Sequence, residues 1–232
     1  MTRKKICIRC AAFFAGLLLC LLAVSFVVAP KGNGEHSGFI YRDAKGIIAE
    51  KKNTVDVVFL GDDFIEYAGD WNVLLRARHI RNRGIAGDNI EGVARRVTSV
   101  TAGKPKAIFL MVGAHDLLGG KTPVDLLRQY ADVIRLIRRH SPKTELYVES
   151  VLPVNESLGR GDLKGKTNVV AQFNRLLRHY CERNGVTYIN LFRTFVRRGT
   201  YELRRELTQD GFALSPFGYK LWGFSLKQYL PD

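Results

Sequence analysis

The organisation of this chain is clearest around one short stretch, Asp56-Val57-Val58-Phe59-Leu60-Gly61-Asp62-Asp63. A continuous apolar run of this length, rich in β-branched residues, is typical of a strand covered on both faces. A weaker run of this kind lies at His79–Asn82, and three stronger ones follow at Ala107–Val112, Glu145–Val151 and Val186–Asn190. The sequence therefore predicts a sheet of about five short strands.

Helical patterns separate several of these strands. Apolar residues recur at intervals of three or four from Val124 to Ile137, and again from Val169 to Cys181, where Asn184-Gly185 ends the pattern. Ser215 and Pro216 suit a helix cap and a first helical position, which predicts a last helix over Pro216–Tyr229. The alternation of strands and helices predicts an α/β fold with a parallel sheet and helices on both faces.

Polar segments follow the strands where functional residues collect in such a sheet, at the carboxyl ends. Three of them lie directly after strands and a fourth precedes the last helix: Gly61-Asp62-Asp63, Gly84-Ile85-Ala86-Gly87-Asp88, Gly113-Ala114-His115-Asp116 and Asp210-Gly211-Phe212-Ala213. In this order and spacing, the four segments resemble the sequence blocks of the SGNH (GDSL-type) hydrolase superfamily. The resemblance extends from about Val55 to the C-terminus. It implies a flavodoxin-like three-layer α/β/α sandwich and an ancestral ester hydrolase acting on acyl or acetyl esters, including those of glycans.

The chain departs from the family pattern at three functional positions. The resemblance places Asp63 where the family has its serine nucleophile, His115 where it has an oxyanion-binding asparagine, and Ala213 where it has the general-base histidine. Gly87 matches the oxyanion-hole glycine, and Asp210 matches the aspartate that orients the histidine. Alanine cannot transfer a proton, and an anion at position 63 would compete for the oxyanion donors.

These departures predict a pseudoenzyme that binds an acylated glycan or a small ester at its old site. One alternative is an esterase in which Asp63 and His115 form a new carboxylate–imidazole pair, with Asp63 as nucleophile or base. A second is a divalent metal held by Asp63, His115 and Asp210, whose ligand types are suitable although nothing in their spacing demands it. We expect neither a cofactor nor a metal.

The N-terminus predicts export of the domain. Residues 1–9 carry four basic side chains and no acid, and residues 10–29 carry no charge, a length that spans the ~30 Å hydrocarbon layer. We expect a cytoplasmic basic segment, a transmembrane anchor, a linker over residues 30–50 and an SGNH-like domain over 51–232 on the periplasmic or extracellular side. The alternative is a cleaved signal peptide, with Ala23-Val24-Ser25 as a small-x-small site, and secretion of the domain.

The formal net charge of +14 indicates a basic surface. Arginines cluster on three stretches: Arg76 to Arg83, Arg135 to Arg139, and Arg193 to Arg205. Such a field attracts anionic polymers or lipid headgroups, which makes an electrostatic adaptor a further hypothesis, whereas solvated arginines partly paired with acids are the simpler interpretation. Nucleic acid is not an expected partner, because no nucleic-acid-binding motif is present and export would separate the two.

Other polar residues are assigned structural roles. Asp62 and Asp116 are expected to bond loop amides around the site. Cys181, alone in the domain, lies on the apolar side of its helical pattern and is expected to be a buried thiol. His79, His140 and His179 are expected on solvated faces, and His36 falls in the linker.

Overall fold

The computed structural model describes residues 56–158 and 160–231. They contain a five-stranded sheet in the order β2-β1-β3-β4-β5, and every neighbouring pair is parallel. The strands are β1 Val57–Gly61, β2 Ile80–Gly84, β3 Ala107–Met111, β4 Glu145–Glu149 and β5 Thr187–Ile189. The five predicted strands and their parallel arrangement are confirmed. The predicted N-terminal segments, residues 1–50, lie outside the described residues.

Helices connect the strands. They are α1 Asp63–Tyr67, α2 Trp71–Leu75, α3 Ile90–Thr101, α4 Ala114–Leu118, α5 Pro123–His140, α6 Lys166–Arg183, α7 Leu191–Phe195 and α8 Pro216–Leu226. The predicted helices correspond to α5, α6 and α8. The last is followed by a 3₁₀ turn, Lys227–Tyr229, and Ser215 caps it by accepting the Gly218 N–H at 3.2 Å. No helix within these two ranges is both long and apolar enough to cross a membrane.

The remaining helices were not predicted, for two physical reasons. Helices α1, α2, α4 and α7 have five residues each, which is too short to show an apolar period. Helix α3 places the charged Arg96 on its buried face, where the pattern would require an apolar residue. Strand β2 is also longer than predicted, because its pairing with β1 continues to Gly84 opposite Gly61.

Both faces of the sheet are covered. All five residues of β1 and of β3 are buried, although neighbouring side chains point to opposite faces. On one face the Phe59 ring stacks on Trp71 of α2, with centroids 3.8 Å apart, and Trp71 meets Trp222 of α8 edge-on at 5.3 Å. Helices α3, α5 and α6 pack side by side as a second group. Cys181 of α6 is fully buried, as predicted.

One carboxyl group lies inside this aromatic core. Glu149, at the carboxyl end of β4, is 0% exposed, and its Oε2 accepts the indole N–H of Trp222 at 2.6 Å. Its Oε1 has no partner among the described residues. Burial raises the pKa of Glu149 from 4.5 to about 8, because an apolar environment disfavours the charged form. Glu149 is therefore mostly protonated at neutral pH.

Glu149→Gln is expected to flatten the pH dependence of stability. The folded chain retains a proton that the unfolded chain releases between about pH 4.5 and about pH 8, so stability falls as pH rises through this window. The fall amounts to at most about 1.4 kcal/mol per pH unit, and the glutamine variant lacks it. Urea unfolding across the window measures the slope. Glu145→Gln, at an exposed position of the same strand, is the control, and equal slopes in all three proteins would contradict the prediction.

Candidate functional site

Three of the four sequence segments meet at the carboxyl edge of the sheet. Asp63 lies two residues after the end of β1 and opens α1, Gly87 lies in the loop between β2 and α3, and His115 is the second residue of α4 after β3. Because β1 lies between β2 and β3, these three positions are brought together by the strand order.

The centre of the site is one carboxylate oxygen. Oδ2 of Asp63 accepts the backbone N–H of Gly87 at 2.9 Å and makes a short contact with Nε2 of His115. The side chain of Asp63 is 16% exposed and that of His115 is 34% exposed, so the pair is open to solvent on one side. Two groups that the resemblance assigns to oxyanion binding thus converge on the residue at the nucleophile position.

The loop that carries Gly87 requires its glycine and is held from α1. Gly87 has φ of +77°, a backbone conformation that L side chains rarely adopt. The preceding amide, Ala86 N–H, is bound by the carboxylate of Glu66, one turn along α1 from Asp63. Both loop amides that point toward α1 are therefore occupied by its carboxylates.

The Asp63–His115 contact makes an ion pair. Burial acts to raise the pKa of Asp63, but the hydrogen bonds from His115 and Gly87 outweigh it and the pKa is lowered. The same contact with Asp63 raises the pKa of His115 against the effect of burial. Each charge favours the charged form of its partner, so Asp63 is ionised at neutral pH and the protonated form of His115 is favoured.

Asp62 and Asp116 support the loops, as predicted. Asp62 is 1% exposed and its Oδ1 accepts the Phe64 N–H at 3.2 Å. Burial first, and then the neighbouring Asp63, raises the pKa of Asp62 to about 7. Asp116 accepts the Ile90 N–H at 2.9 Å through one carboxylate oxygen and pairs with Lys121 at 2.7 Å through the other.

The fourth segment reaches the site through an aromatic ring. Phe212 packs against the His115 ring at 5.8 Å and the Phe64 ring at 4.7 Å. Asp210 Oδ1 accepts the N–H groups of Phe212 at 2.9 Å and of Ala213 at 2.7 Å, while Ala213 is exposed. The structure thus brings Asp63, Gly87 and His115 into one hydrogen-bonded group, and places Asp210 and Ala213 beside it without a recorded bond to that group.

The assignment of the chain to a family rests on a match to a family model, in addition to the geometry of the site. Residues 59–221 match the GDSL-like Lipase/Acylhydrolase family. The chain belongs to this family. No individually curated protein matches it at a significant level.

Solved structures agree with this GDSL-like membership at the level of the fold. A Streptococcus pneumonia protein with "platelet activating factor" in its description superposes with a TM-score of 0.73 at 23% identity, covering 93% of this chain and 99% of that one. A GDSL-like lipase from Bacteroides thetaiotaomicron gives a TM-score of 0.71 at 20% identity, covering 82% and 96%. The acetyl xylan esterase AlAXEase gives 0.60 at 15% identity, covering 76% and 100%.

Arg160 is a residue of this GDSL-like site that the sequence did not indicate. Its guanidinium pairs with Asp210 Oδ2 at 2.7 Å and with Asp162 at 2.7 Å, and it lies 5.3 Å above the Phe212 ring. Asp210, which the resemblance assigns to orienting a histidine, is thus paired with an arginine 50 residues away. The only sequence signal was a basic residue in the loop after β4, which has no counterpart in the four family segments.

The metal hypothesis gains no support from the geometry. Within residues 56–158 and 160–231, no group of three or more His, Cys, Asp and Glu side chains is arranged to hold a metal ion. Of the three residues that the hypothesis named, Asp63 and His115 bond to each other, while Asp210 bonds to Arg160.

Asp63→Asn is expected to lower the pKa of His115. The substitution removes the anion that favours the imidazolium and leaves the opposing effect of burial. In the unmodified chain, His115 contributes stability below about pH 6.5 that is lost as pH rises through its raised pKa. Asp63 contributes stability above about pH 3.8 that is lost as pH falls through its lowered pKa. The asparagine variant loses both contributions.

An NMR titration of labelled histidines measures this change. The His115 resonance should titrate at a lower pH in Asp63→Asn than in the unmodified chain. The backbone amide resonance of His140, on the exposed end of α5, should have the same position in both proteins at one fixed pH, which controls for a change in the fold. An unchanged His115 midpoint would show that the contact with Asp63 does not persist in solution.

Proposed function

We propose that this chain is a non-catalytic member of the GDSL-like hydrolase family that binds an acylated glycan or small ester, on an exported and membrane-anchored chain. One observation carries the proposal: the Gly87 N–H and the His115 Nε2 are both directed at Asp63 Oδ2. In an ester hydrolase such donors must be free to receive the negative charge that develops on the substrate oxygen. Here an ionised side chain of the protein already occupies them.

Proton transfer is the second deficit. Ala213 has no group that could take a proton from an attacking hydroxyl, and position 63 has no hydroxyl to activate. Asp210 is also committed, since its two oxygens accept bonds from the loop amides and from Arg160. A tetrahedral intermediate would additionally be repelled by the Asp63 carboxylate. Together these features support the absence of ester hydrolysis in the proposed function.

Ligand binding is compatible with the remaining surface. Arg160 and His115 both contact the Phe212 ring, so a partly exposed cation and the partly exposed Asp63–His115 pair lie beside one aromatic side chain. The fold likeness to an acetyl xylan esterase makes acetylated xylan fragments a reasonable first ligand class to test.

The second candidate, an esterase with a rewired site, is favoured by the direct Asp63–His115 contact. In that reaction His115 would accept a proton from a water molecule that attacks the acyl carbon, while Asp63 orients the imidazole. The imidazolium would then return this proton to the departing alkoxide oxygen as the ester C–O bond breaks, which releases the acid and the alcohol. The Asp63 carboxylate raises the pKa of His115 and so favours its protonated form, which works against this role because a protonated imidazole cannot act as a base. A rewired esterase is therefore expected to gain activity as the pH rises and His115 loses its proton.

The electrostatic adaptor is the third candidate, and its charge is partly neutralised within the described residues. Arg135 pairs with Asp132, and Arg138 donates to the carbonyl groups of Asn184 and Gly185. Binding of an anionic polymer that is abolished both by added salt and by charge reversal at Arg135 and Arg139 would favour this candidate.

A hydrolysis assay across neutral and alkaline pH tests the proposal. The purified full chain should release no p-nitrophenol from p-nitrophenyl acetate above the buffer rate, beside an active family member as a positive control. Acetylated xylo-oligosaccharides should raise its melting temperature without loss of their acetyl groups. Turnover that disappears in both Asp63→Asn and His115→Ala would establish the rewired esterase. The absence of any shift with acetylated ligands would contradict the binding half of the proposal.

A further inference from the structure

The outward face of α8 carries an unusual stripe. Four residues at successive spacings of three, four and three lie on one side of the helix and its 3₁₀ extension, in the order Phe217, Lys220, Phe224 and Lys227. Phe217 is 55% exposed and Phe224 is 76% exposed, and both lysines are exposed. The inner side of the same helix buries Trp222 and Leu226 in the core. The two exposed rings on its outer side therefore do not contribute to the core.

The apolar surface continues onto the neighbouring helices. Gly223 of α8 packs directly against Leu74 of α2, and the residue beside this contact, Val73, is 75% exposed. Tyr67, at the end of α1, is 62% exposed. Of the six large apolar side chains exposed within the described residues, four therefore lie on α1, α2 and α8. Exposed apolar residues that collect in one place mark an interaction surface.

Basic charge predominates around this surface, where one acidic residue, the exposed Asp70, caps the start of α2. Residues 71–83 and 211–231 contain four arginines and two lysines but no aspartate or glutamate. Arg76, Arg78, Lys220 and Lys227 are exposed, and none of them has an ion-pair partner within the described part of the chain. Their charge is thus available to an anionic partner. A surface that alternates exposed aromatic and basic side chains fits the interface of an anionic lipid bilayer, where rings enter the headgroup region and ammonium groups contact phosphates.

We propose that the outer face of α2 and α8 docks on the surface of an anionic lipid bilayer. The proposal rests in part on the membrane anchor proposed above, which would keep the domain beside a bilayer. Residues 30–55 connect the apolar segment to β1 and can extend to roughly 90 Å, so the tether allows the face to reach the membrane. Because α8 begins three residues after Ala213, docking would hold the cleft at the lipid surface.

Fluorescence quenching by brominated lipids tests this orientation in the full chain. The chain has two tryptophans, Trp71 and Trp222, which are 1% and 0% exposed, so a tryptophan introduced at the surface provides the lipid-accessible signal. Phe224→Trp probes the proposed face. Val124→Trp is the matched control, because Val124 is 57% exposed on α5, in the other group of helices. In vesicles containing brominated phosphatidylcholine and phosphatidylglycerol, quenching of Phe224→Trp should be at least about twice that of Val124→Trp.

A charge variant tests the anionic partner. Adding Lys220→Glu and Lys227→Glu to Phe224→Trp should reduce the quenching to the level of the control, and high salt should weaken it. Equal quenching of Phe224→Trp and Val124→Trp would overturn the proposal. So would a blue shift of Phe224→Trp emission that grows with protein concentration in lipid-free detergent, since a second copy would then cover the face. None of these outcomes depends on ester hydrolysis. Membrane docking can therefore be disproved while ligand binding without turnover holds, and ligand binding can be disproved while docking holds.

Discussion

The variant Asp63→Ser, His115→Asn, Ala213→His is expected to hydrolyse p-nitrophenyl acetate at least about a hundredfold faster than the unmodified chain. In the unmodified chain the Gly87 N–H donates a hydrogen bond to the Asp63 carboxylate at 2.9 Å. Removing this carboxylate leaves the N–H free to bind the substrate oxygen. The introduced serine stands where the carboxylate stood, and the introduced asparagine supplies a neutral oxyanion donor in place of the imidazole. Ala213 is exposed, so a histidine there has room for its ring.

Arg160 should limit the activity of this triple variant. A histidine at position 213 needs Asp210 to orient it, but Asp210 Oδ2 is bound to the Arg160 guanidinium at 2.7 Å. Adding Arg160→Leu should therefore increase the rate further, by about tenfold. Asp210→Asn in the same background should abolish the gain. A triple variant that folds but stays at the buffer rate, with or without Arg160→Leu, would show that the cleft has changed beyond the three substituted positions.

The largest expected loss of stability comes from Arg96→Met. Arg96 is 1% exposed, and its guanidinium donates to Asp88 Oδ2 at 2.8 Å, to the Gly61 carbonyl at 2.7 Å and to the Arg83 carbonyl. It therefore joins the carboxyl ends of β1 and β2 to the loop that carries Gly87. Methionine preserves part of the volume but leaves the Asp88 carboxylate and two carbonyl groups without their buried partner. Breaking a buried ion pair in this way costs about 3–5 kcal/mol of unfolding free energy.

Urea unfolding of Arg96→Met and Arg135→Met measures this difference. Arg135 forms an ion pair with Asp132 of the same helix, but both side chains are more than half exposed, 59% and 64%. Exposed pairs contribute about 0–1 kcal/mol, so the control should lose at most that amount. A loss below about 1 kcal/mol in Arg96→Met would contradict the assignment of Arg96 as the buried link between the two strands and the loop.

The strands and long helices could be predicted because their signals are local. A run such as Val57–Leu60 or Ala107–Met111 is buried on both faces, and continuous burial leaves a continuous apolar run in the sequence. Helices α5 and α6 have 18 residues each, which is long enough for an apolar period to repeat several times. The five-residue helices are too short to show such a repeat. In α3 the apolar repeat is interrupted by the charged Arg96, which is buried.

The sequence was also sufficient to identify the family, and it predicts which functional groups are missing from the site. Side-chain chemistry is intrinsic to each residue, so the lack of a hydroxyl at Asp63 and of an imidazole at Ala213 needs no coordinates. The expectation that an anion at position 63 competes for oxyanion donors followed from the same chemistry. The export signals in residues 1–29 remain predictions.

Contacts between residues far apart in the chain depended on the tertiary structure. Asp63 meets Gly87 and His115 across 24 and 52 positions, and Asp210 meets Arg160 across 50. Such pairs have no periodicity or local composition to reveal them, since the strand order and the loop paths determine which side chains meet. The sequence thus predicts which groups are absent from the site, whereas only the tertiary structure places the Gly87 N–H and the His115 ring against the protein's own Asp63 carboxylate.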